Sequence, residues 1–251
     1  MEATVESTLT GTAALVTGAS SGIGRATAGA LAREGADLTI TARRESRLST
    51  LASELRAEFD ADVHVRPTDV RDPEQVRATV DAAVDRHGEL DVAVNNAGTG
   101  VEGDPVETSP AEFRAITETN VHGTFYVTQA VLPKLEATSG NLVFVGSFAG
   151  EYPFPANPVY AATKGWVRSF AHSMEARAGE DDVAVTLVNP GGVRTGFEFE
   201  EGLSQRERYE AGEAPEPEEV AEAIAFACKR SDATTVHEVS IYPRRQLSDS
   251  W

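Results

Sequence analysis

Short apolar runs rich in β-branched residues alternate with longer stretches of helical periodicity from Gly11 onward. This alternation is typical of βα units that build a parallel sheet. The pattern predicts strands at 12–18, 36–42, 61–67, 90–96, 140–147, 183–190 and 235–243. Between them it predicts helices at 23–34, 45–59, 73–87, 111–135, 158–178 and 217–230.

The third predicted helix illustrates the local reasoning. Asp72 can cap its N-terminus, Pro73 suits the first helical position, and valines recur every four residues at 76, 80 and 84. These valines are expected to face the sheet.

From the alternation of strands and helices we predict an α/β fold with a doubly wound parallel seven-stranded sheet and helices on both faces, of Rossmann type. No repeat or low-complexity linker indicates a second domain, so residues 1–251 are predicted to form one domain.

Composition narrows the class of protein. The chain has 251 residues, of which 41% are hydrophobic, and no apolar run reaches the ~18 residues that a membrane span needs. The acidic N-terminus has neither a basic leader nor an apolar signal core, and Cys228 is the single cysteine. These features favour a cytoplasmic protein and exclude a membrane-spanning one.

The charge balance is unusual. Forty acidic residues stand against 22 basic ones, a net charge of -18, and three of the basic residues are lysines. A nucleic-acid-binding protein needs a basic face, so we predict no nucleic-acid partner. An acidic, lysine-poor surface stays soluble at high salt, which suggests a halophilic protein from a salt-rich cytoplasm. The alternative is an acidic protein of ordinary salt conditions.

One segment differs in composition from the rest of the chain. Residues 198–222 contain ten glutamates and two arginines, so they cannot form an interior strand. The segment follows NPGG at 189–192, which favours a flap over a substrate site, predicted at 196–222, rather than a solvated surface excursion.

A glycine-rich turn joins the first predicted strand to the first predicted helix at 17–24, TGASSGIG. Glycines at such a turn allow close backbone approach to a pyrophosphate, which the helix N-terminus then binds. Arg43 and Arg44 follow the second strand, where an NAD-specific fold places an acidic residue. Guanidinium groups bind a 2′-phosphate, so we predict NADP (NADPH) as cofactor, with hydroxyl contacts from Ser20 or Ser21.

Candidate catalytic residues lie downstream of this turn. Tyr160 and Lys164 are four residues apart and share one helix face. A nearby ammonium favours the phenolate and is expected to lower the pKa of Tyr160. When a carbonyl is reduced, Tyr160 can donate the proton and Ser147 can hydrogen-bond the developing alkoxide.

The sequence resembles the short-chain dehydrogenase/reductase family from Gly11 to about Pro243. The motifs, in family order, are TGASSGIG at 17–24, Asp69-Val70, NNAG at 95–98, NVHGTF at 120–125, GS at 146–147, YAATK at 160–164 and NPGGVRT at 189–195. The resemblance implies catalysis by Asn120, Ser147, Tyr160 and Lys164, with Asn120 holding a water in a proton relay.

The resemblance also implies where the cofactor lies. Asp69 and Val70 would flank the adenine, and Lys164 would bind the nicotinamide ribose. The complete set predicted to bind the cofactor is Gly18, Ser20, Ser21, Gly22, Ile23, Gly24, Arg43, Arg44, Asp69, Val70, Asn96, Ala97, Gly98, Tyr160, Lys164, Pro190, Gly191, Val193 and Thr195.

The substrate pocket is predicted between Ser147 and Tyr160 and in the flap. Its apolar walls are expected from Phe148, Tyr152, Phe154, Phe197 and Phe199, which suit a small carbonyl compound or secondary alcohol. Segments 42–48, 152–164 and 238–246 are similar to NADP-dependent 3-hydroxy-acid and serine dehydrogenases of the family. The alternatives are a 3-oxoacyl thioester reductase and a non-catalytic dinucleotide-binding protein.

Two further expectations concern metals and assembly. The five histidines lack metal-ligand spacing, so no metal site is predicted, and Cys228 lies on an apolar helix face that indicates packing. Family members usually pair through helices that correspond to 111–135 and 158–178, and the second of these is apolar on more than one face. A homotetramer is therefore predicted, with a dimer as the alternative.

Overall fold

A computed structural model describes residues 9–100, 105–200, 203–231 and 233–249, without the side chains of 198–200, 203 and 249. The strands are β1 (Ala13–Thr17), β2 (Asp37–Ala42), β3 (Val63–Pro67), β4 (Val92–Asn95), β5 (Asn141–Val145), β6 (Ala184–Pro190), β7 (Glu198–Glu200), β8 (Leu203–Ser204) and β9 (Glu238–Ile241). The α-helices are α1 (Gly22–Arg33), α2 (Glu45–Phe59), α3 (Pro73–His87), α4 (Pro110–Thr117), α5 (Thr124–Glu136), α6 (Pro158–Ala178), α7 (Gln205–Arg208), α8 (Pro217–Cys228) and α9 (Gln246–Asp249).

Seven strands form one parallel sheet in the order β3-β2-β1-β4-β5-β6-β9. Successive side chains of a strand point to opposite faces, so Val16 packs with α1, α2 and α8 while Leu15 packs with α3, α5 and α6. The predicted doubly wound fold is confirmed, and every strand of this sheet lies inside its predicted range.

The third helix forms as its residues predict. The Asp72 carboxylate accepts hydrogen bonds from the backbone N–H groups of Glu74 and Gln75, at 3.0 and 3.2 Å. Val76 and Val80 are buried in the core.

The prediction of a single helix at 111–135 is wrong in one respect. A π-helical segment, Glu118–Gly123, separates α4 from α5. The wider turn accompanies a buried Asn120, and π-helical turns are common at functional sites. Gly123 lies against Val70, where a Cβ atom would come within 2.8 Å of the valine side chain.

The predicted flap contains regular structure in its described part. The β7–β8 hairpin leads into α7, and a Ser204–Glu207 capping box begins that helix. Residues 201 and 202 and the side chain of Phe199 lie outside the described residues. None of the described helices is both long enough and apolar enough to cross a bilayer.

Candidate active site

The glycine turn is packed against the end of β4. Thr17 Oγ1 accepts hydrogen bonds from the backbone N–H groups of Asn96 and Ala97, both at 3.0 Å, and Asn96 Nδ2 donates to the Thr17 carbonyl at 2.8 Å. A Cβ atom on Gly24 would lie 2.3 Å from Asn96 Nδ2, so this position requires glycine. Ser21, at the N-cap of α1, makes no side-chain cap within the described structure. The first N–H groups of α1 are therefore free of a side-chain acceptor and suit a phosphate.

A positively charged corner, formed by Arg43, Arg44, Ser20 and Ser21, adjoins this turn. Arg44 Nη2 donates to Ser20 Oγ at 2.9 Å and to Ser21 Oγ at 3.1 Å. Burial, together with the charges of Arg47 and Arg43, lowers the pKa of Arg44, so the guanidinium gains from an anionic partner. The fold thus brings together Arg44, Ser20 and Ser21 of the residues predicted for a 2′-phosphate, and the charge of Arg43 acts on Arg44.

The side chains predicted to be catalytic meet at the carboxyl ends of β5 and β6. Ser147 follows β5, and the side chain of Asn157 caps α6 by accepting from the backbone N–H of Tyr160 at 3.0 Å. Ser147, Tyr160 and Lys164 are buried and line one cavity, which extends to Gly18 and Ile23 of the phosphate turn. Lys164 Nζ donates to the Val145 carbonyl at 2.9 Å.

The pKa values of this site differ from the expected pattern. Burial raises the pKa of Tyr160 to about 12, and the hydrogen bond with Ser147 only partly opposes this rise. Lys164 Nζ lies 5.9 Å from the centre of the Tyr160 ring, and burial lowers its own pKa to about 8. The expected lowering of the Tyr160 pKa by the lysine is therefore wrong, because burial sets the direction of the shift. The phenol of Tyr160 therefore keeps its proton at neutral pH.

Asn120 supports the site from outside the cavity lining. Its side-chain oxygen accepts from the Thr99 N–H at 2.9 Å, and Nδ2 donates to the Thr99 carbonyl at 2.9 Å and to Thr163 Oγ1 at 3.0 Å. Thr163 immediately precedes Lys164 on α6. Through these hydrogen bonds, Asn120 holds the segment after β4, which contains Thr99, against α6.

The structure separates the predicted cofactor residues into two groups. Twelve line the cavity: Gly18, Ser21, Gly22, Ile23, Asn96, Gly98, Tyr160, Lys164, Pro190, Gly191, Val193 and Thr195. Seven lie outside its lining: Ser20, Gly24, Arg43, Arg44, Asp69, Val70 and Ala97. Asp69 is bound by Arg71, whose side-chain and backbone hydrogen bonds hold the pKa of Asp69 below its usual value.

The cavity lining only partly matches the predicted substrate pocket. Phe148, Phe154 and Phe197 line it. Tyr152 is not among the lining residues and stacks on the Phe148 ring with a centroid distance of 4.5 Å.

Sequence reasoning missed four polar residues that line the cavity: Gln205, Arg208, Tyr209 and Gln246. Arg206 and Arg208 are the two arginines of an otherwise acidic segment, a signal that would have drawn attention to α7. Arg194, which the sequence could not place, lies elsewhere: it donates to the Tyr209 carbonyl at 2.9 Å and pairs with Glu216.

Two predictions about reactive side chains have different outcomes. Cys228 is buried, and burial raises the pKa of its thiol to about 12, as expected of a packing residue. The histidines, in contrast, are not all scattered. His172, His237 and Glu238 each place one ligand atom within 4.8 Å of the others.

Comparisons with known proteins agree with this fold. A model of the short chain dehydrogenase family matches residues 12–205. An uncharacterized oxidoreductase of Staphylococcus aureus (strain USA300) is 32% identical over 236 residues, which are 94% of this chain and 98% of the relative.

Two solved structures are also similar. An alcohol dehydrogenase from the archaeon Thermococcus sibiricus, complexed with 5-hydroxy-NADP, has a TM-score of 0.85 and 30% identity, covering 94% of this chain and 97% of that one. A 3-ketoacyl-(acyl-carrier-protein) reductase from Brucella melitensis, complexed with NADH, has a TM-score of 0.84 and 28% identity, covering 95% of this chain and 99% of that one. With the family match extending over most of its length, the chain belongs to the short chain dehydrogenase family.

Proposed function

We propose that the protein is an NADP-dependent oxidoreductase that interconverts a carbonyl compound and a secondary alcohol. The observation that carries this proposal is the single cavity that Ser147, Tyr160 and Lys164 line together with the glycine turn. A cavity lined by both groups suits a dinucleotide whose pyrophosphate binds at α1 and whose reactive ring reaches Tyr160. Intact Tyr160 and Lys164 disfavour the alternative of a non-catalytic dinucleotide-binding protein.

Each of the proposed catalytic residues has its own role in the reaction. NADPH, when bound, supplies the hydride. Tyr160 holds a proton at neutral pH and donates it to the carbonyl oxygen. Ser147, hydrogen-bonded to Tyr160, lies where it stabilises charge developing on that oxygen. Lys164 contributes a buried positive charge beside the site of proton transfer.

Preference for NADP over NAD rests on the corner formed by Arg43, Arg44, Ser20 and Ser21. The Arg44 guanidinium and two hydroxyls converge within hydrogen-bond distance, a donor set that suits a phosphate monoester. Asp69 is already neutralised by Arg71 and adds little repulsion. Arg43, Arg44, Asp69 and Val70 are proposed to surround the adenosine end of the cofactor.

The proposed substrate class is a 3-hydroxy acid and its 3-oxo partner. Although the chain carries 40 acidic residues, no aspartate or glutamate lines the cavity in the described part of the chain. Arg208 lines it together with Phe154 and Phe197. Apolar walls with an arginine in addition to the buried Lys164 suit a short carbon chain that ends in a carboxylate.

A steady-state screen tests these proposals together. We expect turnover with NADPH to exceed turnover with NADH, and 3-hydroxy acids to exceed their methyl esters, which keep the alcohol and lose the charge. Preference for 3-oxoacyl thioesters would favour the alternative reductase. An Arg208→Gln variant should raise KM for the acid and leave KM for the ester unchanged. Equal effects on acid and ester would argue against a carboxylate contact.

We further propose a cytoplasmic homotetramer adapted to high salt. Phe125 on α5 is 42% exposed and contacts Phe170 of α6, whose ring stacks on Trp166 at 4.7 Å. An aromatic surface of this kind, continuous across two long helices, supports pairing with a second copy.

A further inference from the structure

The outer edge of the sheet brings together three side chains that are far apart in sequence. His172 lies on α6, and His237 and Glu238 lie at the start of β9. His172 Nε2 is 3.4 Å from Glu238 Oε2, and His237 Nε2 is 4.0 Å from the same oxygen. The function proposed above uses none of these residues.

Glu238 is held so that one of its oxygens faces the imidazoles. Oε1 accepts hydrogen bonds from Arg168 Nε at 3.1 Å and from Asn189 Nδ2 at 2.5 Å, whereas Oε2 receives Arg168 Nη2 at 3.2 Å. The group is therefore a fixed carboxylate with Oε2 directed at both rings.

The two imidazoles are poised as ligands rather than as hydrogen-bond donors to each other. His237 Nδ1 lies 2.5 Å from a Glu175 carboxylate oxygen, so this nitrogen carries the proton and Nε2 presents its lone pair. His172 Nε2 is buried and has no hydrogen-bond partner among the described residues. A buried ring nitrogen without a partner is costly unless something binds it.

We propose that His172 Nε2, His237 Nε2 and Glu238 Oε2 bind one zinc ion, with water as the fourth ligand. Zinc bonds of about 2.0–2.1 Å in tetrahedral geometry place ligand atoms about 3.3 Å apart. The His172–Glu238 separation already matches. Zinc binding would require the exposed His237 ring, which stacks on His172 at a centroid distance of 4.9 Å, to turn toward the ion. Glu175 completes a carboxylate–histidine–zinc arrangement.

Zinc at this position would connect α6 to the last strand of the sheet. Zinc binding would add positive charge beside two carboxylates, Glu238, which pairs with Arg168, and Glu175, which pairs with His237. The sequence could not reveal this site because 64 residues separate His172 from His237 and no motif links them.

The test is zinc titration of the metal-free protein at pH 8 in molar KCl, where weak surface sites are screened. We expect one equivalent of Zn²⁺ to bind and to raise the melting temperature, and Co²⁺ to give the visible absorption of a tetrahedral ion. Mg²⁺, which prefers oxygen ligands, should give neither effect.

Variants separate this site from adventitious binding. His237→Ala should raise the zinc Kd more than tenfold, and Glu175→Gln, which removes only the supporting carboxylate, should raise it about 10–100-fold. His122→Ala alters an exposed histidine elsewhere and should bind zinc like the parent. Equal zinc affinity in the parent and His237→Ala, or no stoichiometric binding by the parent, would overturn the proposal.

Discussion

Replacing Lys164 by methionine should stabilise the protein at neutral pH while destroying its activity. Burial moves the pKa of this lysine from 10.5 to about 8. Because one pKa unit corresponds to about 1.4 kcal/mol, burying the charged form costs roughly 3 kcal/mol. Methionine fills similar space without charge but leaves the Val145 carbonyl without its donor, a loss of about 1 kcal/mol. We expect Lys164→Met to be about 2 kcal/mol more stable than the parent at pH 7.

The stability difference between the variant and the parent should decrease as pH rises. Below pH 8 the lysine is charged in the folded and unfolded states, so the parent bears the full cost of burial. Above pH 8 the folded parent releases the proton while the unfolded chain retains it up to about pH 10.5, so the parent gains stability as pH rises. The advantage of the variant should shrink by about 2 kcal/mol between pH 7 and pH 9.5.

Urea-induced unfolding at fixed protein concentration in high KCl measures this difference. Cys228, whose pKa burial raises to about 12, contributes equally to parent and variant and cancels. Lys134→Met is the matched control, because Lys134 is partly exposed and its ion pair with Asp81 is worth little. A stability difference between Lys164→Met and the parent that stays constant from pH 7 to pH 9.5 would refute the reasoning.

Three other predictions follow from the cofactor corner, the flap and the helices. Arg44→Ala and Arg43→Ala should each weaken NADPH by about 1.5–3 kcal/mol and NADH by much less, as measured by fluorescence titration; equal losses would mean that the arginines do not contact the 2′-phosphate. Raising KCl should lower KM for the carbonyl substrate more than KM for NADPH, because salt screens the glutamates of the 196–222 flap; proportional changes in both would argue against a salt-gated lid. Sedimentation in molar KCl should give a tetramer, or a dimer as the smaller assembly, and a species of 26.7 kDa alone would contradict pairing through α5 and α6.

The fold was largely predictable because its signals are local. Each parallel strand is a short apolar run between helical stretches, and caps such as Asp72 mark where helices begin. The π-helical segment at Glu118–Gly123 was not predictable, since its turn depends on tertiary contacts of Asn120 with Thr99 and Thr163.

The site was predictable only where motifs carry it. The glycine turn and the pair Tyr160 and Lys164 combine spacing with chemistry, so their residues could be named in advance. The pKa of Tyr160 could not be predicted from the sequence, because desolvation depends on which residues pack around the ring. Arg208 and the pair His172 and His237 reach their positions through chain folding over long separations, which no spacing rule encodes.

The most direct test of the proposed mechanism is the single-turnover rate of a Tyr160→Phe variant saturated with NADPH. The variant keeps the ring that lies among Ser147 and Phe197 and loses only the proton donor. We expect NADPH affinity within twofold of the parent and a rate of carbonyl reduction at least 10²-fold lower. A rate comparable to that of the parent, with NADPH bound equally well, would contradict the assignment of Tyr160 as the acid of this oxidoreductase.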